Sequence, residues 1–128
     1  MDFSKSYDER RKHPRIDNTV PVKISSEEAD FVTETRNLSR TGAYCRVNKF
    51  VEPMTKLKIH LLLPLKRNGK IVTKKISCLG IVVRSEPIPG QEYYHSAIYF
   101  SDIQKKDADY ISDYVHEELR KDKKQQPA

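Results

Sequence analysis

A chain of 128 residues suits one domain, which buries roughly two thirds of the surface its unfolded form exposes. Its formal net charge is +6, of which Arg120, Lys121, Lys123 and Lys124 less Asp122 supply +3 near the C-terminal end. That charge suits an anionic partner (a nucleotide, a nucleic acid or an acidic protein surface) and also serves plain solubility. Residues 1–9 carry Asp2, Asp8 and Glu9 and no apolar core of a secretory signal, so a cytoplasmic location is expected. The longest apolar run, Ile59 to Leu65, is interrupted by His60 and Pro64 and falls far short of the ~20 residues of a spanning helix, so no membrane insertion is expected.

In chain order, residues 1–18 are polar and charged, hold Pro14 and lack a hydrophobic period, and they read as a flexible N-terminal arm. Val20, Val22 and Ile24 alternate with Pro21, Lys23 and Ser25, the period-2 pattern of a half-buried strand. Phe31 to Leu38 is rich in β-branched and aromatic residues and runs into the turn Asn37-Leu38-Ser39-Arg40-Thr41-Gly42. Ala43, Cys45 and Val47 then alternate inward against Tyr44, Arg46 and Asn48, and Glu52-Pro53 ends that strand.

Leu57, Ile59, Leu61 and Leu63 give the cleanest alternation, expected to close at Pro64 and turn back at Asn68-Gly69. From Lys70 to Ser85 the inward candidates pass from Ile76 and Cys78 to Leu79, Ile81 and Val83, which predicts a bulge or bend near Leu79-Gly80. Tyr93 to Phe100 supplies a sixth strand. Ala108, Ile111, Val115 and Leu119 then recur at helical spacing, and Ser101-Asp102-Ile103-Gln104 has the form of a capping box. The expected architecture is all-β with a terminal helix: an arm over 1–18, a six-stranded antiparallel barrel over 19–101, a C-terminal helix over 102–121 and a disordered tail over 122–128.

Two stretches carry candidate chemistry. Arg11 and Arg15 flank Lys12, His13 and Pro14, and the proline turns His13 away from helical dihedrals, so the two arginines belong to an extended or turned arm. Planar guanidinium forks suit phosphate oxygens or the O6/N7 edge of guanine. A basic run of this kind also serves as solvated surface. In Asn37-to-Gly42, glycine can take the positive φ of a sharp turn, while Asn37 and Ser39 offer short polar groups to backbone or ligand. That pattern, too, serves ordinary turns.

The two stretches in this order, R-R-K-H-P-R, one strand, then N-L-S-R-T-G at the end of the next, resemble the PilZ domain family over roughly residues 9 to 119. The resemblance implies a PilZ-like split barrel that binds cyclic di-GMP through an R-x-x-x-R arm and a [D/N]-x-S-x-x-G turn. Arg11, Arg15, Asn37, Ser39 and Gly42 would be the ligand-binding residues. Arg10 would add a third guanidinium that favours a stacked pair of ligands over one molecule, and Arg40, Lys12, His13 and Arg84 are secondary candidates. Asn37 can accept from a guanine N–H, yet unlike Asp it cannot offer two anionic acceptors, so affinity is the property it alters.

The implied role is that of a receptor whose arm closes over the ligand and changes the surface offered to a downstream protein, with motility, exopolysaccharide or biofilm outputs. No cofactor and no metal is expected. Cys45 and Cys78 stand alone without metal-ligand spacing and read as small buried hydrophobes, and the four histidines show no pairing with a nucleophile, so the chain is not expected to be an enzyme. The rival reading is a basic barrel that binds single-stranded nucleic acid, with Tyr93, Tyr94 and Tyr99 as a stacking platform. A degenerate PilZ-like module that only contacts proteins is the third, and the two intact motifs disfavour it.

Overall fold

The computed structural model describes residues 15–16, 19–27 and 30–125. Among the described residues seven strands and one helix follow in order: β1 Arg15–Ile16, β2 Pro21–Ser25, β3 Asp30–Ser39, β4 Gly42–Val47, β5 Lys56–Arg67, β6 Lys70–Pro87, β7 Tyr94–Asp102 and α1 Lys105–Gln125. All pairings are antiparallel, and the order β3-β2-β5-β6-β7-β4 returns to β3 through the β3–β4 pairing. Six strands thus close into the expected barrel, and closure leaves the ring without a lateral edge.

The core is the inward half of each alternation. Val22 and Ile24 of β2, Leu38 of β3, Ala43, Cys45 and Val47 of β4, and Leu57, Ile59, Leu61, Leu63 and Leu65 of β5 are all buried. The β5–β6 hairpin turns on Asn68 and Gly69, both at positive φ (53° and 76°), the left-handed pair a two-residue hairpin needs. β5 does not stop at Pro64; it continues to Arg67, with Pro64 opposite Thr73. Beyond Leu61 the strand has lost β2 and keeps only β6 as a partner, a position that tolerates a residue without an N–H.

β6 departs from expectation in its phase. Ile76, Cys78 and Val82 are buried with Gly80 between them, while Leu79 and Val83 face outward and Ile81 is half-buried. Gly80 keeps the inward phase without a side chain, because a Cβ there would fall 2.5 Å from Ile59 Cδ1 and 2.8 Å from Ile98 Cγ2. The expected irregularity does occur against β7, between Leu79 and Gly80, and a second lies between Val82 and Arg84.

Two further corrections concern the ends. Ser101 and Asp102 belong to β7, so Ser101 caps nothing; α1 starts at Lys105, and its first helical bond runs from the Ala108 N–H to the Gln104 carbonyl (3.0 Å). The helix extends to Gln125, four residues past the expected boundary, and residues 126–128 lie outside the described ones. At the other end, part of the arm is structured: Arg15 and Ile16 form β1 against β3, and Ile16 is buried. Ala108, Ile111, Tyr114 and Val115 of α1 are buried, and the last three join one core with Ile16, Leu38, Leu63 and Leu65, so the helix stoppers one end of the barrel.

Candidate ligand-binding site

β1 takes the same edge of β3 as β2 does, further along. Arg15 lies opposite Ser39 and Ile16 opposite Leu38, whereas Pro21 lies opposite Glu34. The register slips by one residue between these stretches, and Thr35 absorbs the slip. Its buried Oγ1 accepts from the Val20 N–H (3.0 Å), and its own N–H donates to the Val20 carbonyl (2.9 Å). The end of the arm is therefore hydrogen-bonded in register to the second motif, although the two are separated by all of β2 in the sequence. Arg10, Arg11, Lys12 and His13 lie outside the described residues, and Arg15 is described by its backbone alone.

The Asn37-to-Gly42 segment is a two-residue turn, Arg40-Thr41, between paired Ser39 and Gly42. Ser39 is buried, and its Oγ accepts from the Thr41 N–H (3.2 Å) and lies 3.3 Å from Thr41 Oγ1. The hydroxyl thus braces the turn from within and does not stand at the rim. Phe100 N–H donates to the Thr41 carbonyl (2.9 Å), which docks the turn on β7.

Gly42 has no left-handed backbone, contrary to expectation, and is required for another reason: a Cβ would collide with the Ile98 carbonyl oxygen across the β4–β7 ladder. Asn37 follows an irregularity between Thr35 and Asn37 and is half-buried opposite Tyr44. Because residues directly opposite share a face, Asn37, Ser39, Gly42 and Tyr44 all belong to the outer wall.

Of the secondary candidates, Arg40 and Arg84 lie among the described residues, and each has a carboxylate partner. Arg40 Nη1 donates to Asp109 Oδ1 at 2.6 Å, so the turn is tied to α1 by an ion pair. Arg84 pairs with Glu86 (2.9 Å) and stands 5.4 Å from the Tyr44 ring centroid. Sequence reasoning missed the neighbours of Gly42. A hollow of about 230 Å³ opens there, lined by Thr41, Gly42, Tyr44, Val83, Ala97 and Tyr99 among others. Of the hollow's residues outside the motif, the sequence had singled out only Tyr99, as a stacking candidate, and it is 52% accessible.

The tyrosines do not make one stacking platform. Tyr94 packs edge-on against Phe50 (5.7 Å) and pairs with Val47, Tyr93 lies under the Arg46 guanidinium (3.7 Å), and Tyr99 sits at the far end of β7 opposite Gly42. Among the described residues no group of three or more His, Cys, Asp or Glu could hold a metal, and no helix is long and apolar enough to cross a membrane.

The described residues thus form a closed six-stranded barrel, stoppered by a helix and carrying a braced polar turn on its outer wall. The PilZ domain profile matches residues 9–117, and the chain belongs to the PilZ domain family, a family of cyclic di-GMP receptors. No curated protein sequence matches the chain. Among solved structures it is similar to the Bacillus subtilis inhibitor of motility MotI/DgrA (TM-score 0.72, 21% identity), over 91% of this chain and 53% of that one. It is also similar to the PilZ domain of YcgR from Escherichia coli, solved with c-di-GMP (TM-score 0.59, 9% identity, 91% and 99% covered). The PilZ domain of CeSA from a cellulose-synthesizing bacterium is a third neighbour (TM-score 0.56, 15% identity, 83% and 98% covered). The chain spans about half the length of the MotI chain it matches.

Proposed function

We propose that this chain is a non-catalytic cytoplasmic receptor for cyclic di-GMP that holds the ligand against the outer wall at the β3–β4 turn. The observation that carries the reading is the β1–β3 pairing, which sets Arg15 opposite Ser39. Arg11 and Arg15 supply guanidinium forks to the phosphates or the guanine edges, and Arg10 adds a third. Asn37 accepts from a guanine N–H, Ser39 holds the turn that presents it, and Gly42 leaves the backbone open to close approach.

Family membership supports this reading, as does the likeness to a YcgR domain solved with the same ligand. Binding then changes the surface offered to a downstream protein, and likeness to an inhibitor of motility supports a motility output. Calorimetry with cyclic di-GMP tests the assignment. Arg11→Ala and Arg15→Ala should each weaken binding roughly 10- to 100-fold, as loss of a charge-assisted hydrogen bond of ~1.5–3 kcal/mol implies. Unchanged affinity in both variants overturns it.

A further inference from the structure

The β4–β7 ladder sets Tyr44 opposite Ala97 and Gly42 opposite Tyr99. These four residues share the outer face and alternate large and small, so two phenol rings stand at opposite corners of a floor made by Gly42 and Ala97. The hollow above that floor, about 230 Å³, is smaller than the ~300–1,000 Å³ of pockets that enclose a drug-sized ligand. It suits one flat ring system laid on the surface.

Its surroundings are unusual for a solvent-facing wall. Tyr99 is 52% and Val83 54% exposed, and the Arg84 guanidinium, paired with Glu86 (2.9 Å), stands 5.4 Å from the Tyr44 ring centroid. The hollow also adjoins the second motif directly, since Asn37 pairs with Tyr44 and Ser39 with Gly42. An aromatic-walled floor of small residues with a guanidinium at its rim matches a purine, which offers a π-face to tyrosine and, in guanine, an O6/N7 acceptor edge to arginine.

Building on the proposed receptor function, we infer that Tyr99 and Tyr44 form a base-stacking slot for one guanine of cyclic di-GMP, with Arg84 at its rim. The slot is distinct from the arginine arm and sets how the ligand's base, as opposed to its phosphates, is held. Gly42 then has two roles: it avoids the β7 backbone and keeps the floor flat.

Calorimetry with cyclic di-GMP on Tyr99→Ala, Tyr99→Phe and Tyr93→Ala tests the slot. Loss of one base–aromatic stack should weaken Tyr99→Ala about 5- to 100-fold, while Tyr99→Phe keeps its ring and stays within about twofold of the parent, as does Tyr93→Ala. The chain has no Trp, so tyrosine fluorescence gives a second readout: ligand should quench the parent more than Tyr99→Ala. Equal losses in Tyr99→Phe and Tyr99→Ala would overturn stacking, as would full affinity in Tyr99→Ala. If full affinity in Tyr99→Ala accompanies a loss in Arg11→Ala, the slot alone fails; if the parent chain binds no cyclic di-GMP, the receptor reading fails with it.

Discussion

The end of the barrel under α1 and the end formed by the β2–β3 and β4–β5 connections are filled differently. Under the helix, Ile111, Tyr114 and Val115 are buried against Leu63, Leu65, Leu38 and Ile16. Ion pairs rim that contact: Arg40 with Asp109 (2.6 Å), and Arg67 with Asp113 (3.3 Å) and Glu117 (2.9 Å). Exposed pairs of this kind contribute about 0–1 kcal/mol each, so apolar burial holds the helix and the pairs set its orientation. At the opposite end a hollow of about 590 Å³ lies among Phe31, Phe50, Val51, Lys49, Lys56, Glu27 and Glu52.

The larger hollow is thus not where the motifs are. The braced turn and β1 lie at the stoppered end, on the smaller feature, and the helix that closes that end is joined to the turn through Arg40. A support beneath the Arg40-Thr41 turn is what preorganised binding at the proposed site requires.

The contrast is broken first at Ile111. Ile111→Ala should cost about 2–5 kcal/mol in urea denaturation, and a loss below ~1 kcal/mol would mean that the helix is not part of the core. Gly42→Ala comes next at about 1–3 kcal/mol, because the added methyl must push apart the β4–β7 ladder. The same variant should bind cyclic di-GMP more weakly, so stability and affinity fall together there and separately at Ile111. Phe50→Ala should cost least, about 0.5–1.5 kcal/mol, since this ring is 47% exposed and its main partner is Tyr94. A Phe50 effect as large as that at Ile111 would erase the difference between the two ends.

How much of this was legible in the sequence follows from how local the causes are. The β5–β6 hairpin was readable because an unbroken alternation meets an Asn-Gly pair, and both act within a few residues. The inward faces of β2 and β4 were readable for the same reason. The phase of β6 was not: outward Leu79 and Val83 look like core, and the inward position they seem to replace is held by Gly80, whose reasons are Ile59 and Ile98 on the two neighbouring strands. Gly42 misled in the same way, with a turn-like context hiding a constraint from the β7 backbone.

β1 is two residues long and sits in a charged arm, so no period announces it. Only Ile16, apolar among polar neighbours, hints at burial. The helix start was misplaced because Ser101-to-Gln104 carries a capping signature while β7 claims its first two residues through pairing with β6. Of the site, the motif residues were legible as types in an order. The hollow beside them was not, because it is made by a register between β4 and β7.

Cys45 and Cys78 both face the core. Burial pushes each thiol up from 9.0 to about 12, in Cys78 with some help from Asp107 and Asp102. Neither is a thiolate at neutral pH in the folded chain, so alkylating and oxidising reagents have no nucleophile to meet. An unfolded chain ionises these thiols near pH 9, whereas the folded one resists until about 12, so their contribution to stability is complete below pH 9 and drains away across that window. At neutral pH the two sulfurs therefore act as a built-in clock for opening of the barrel: each labelled thiol records an excursion in which the wall let go.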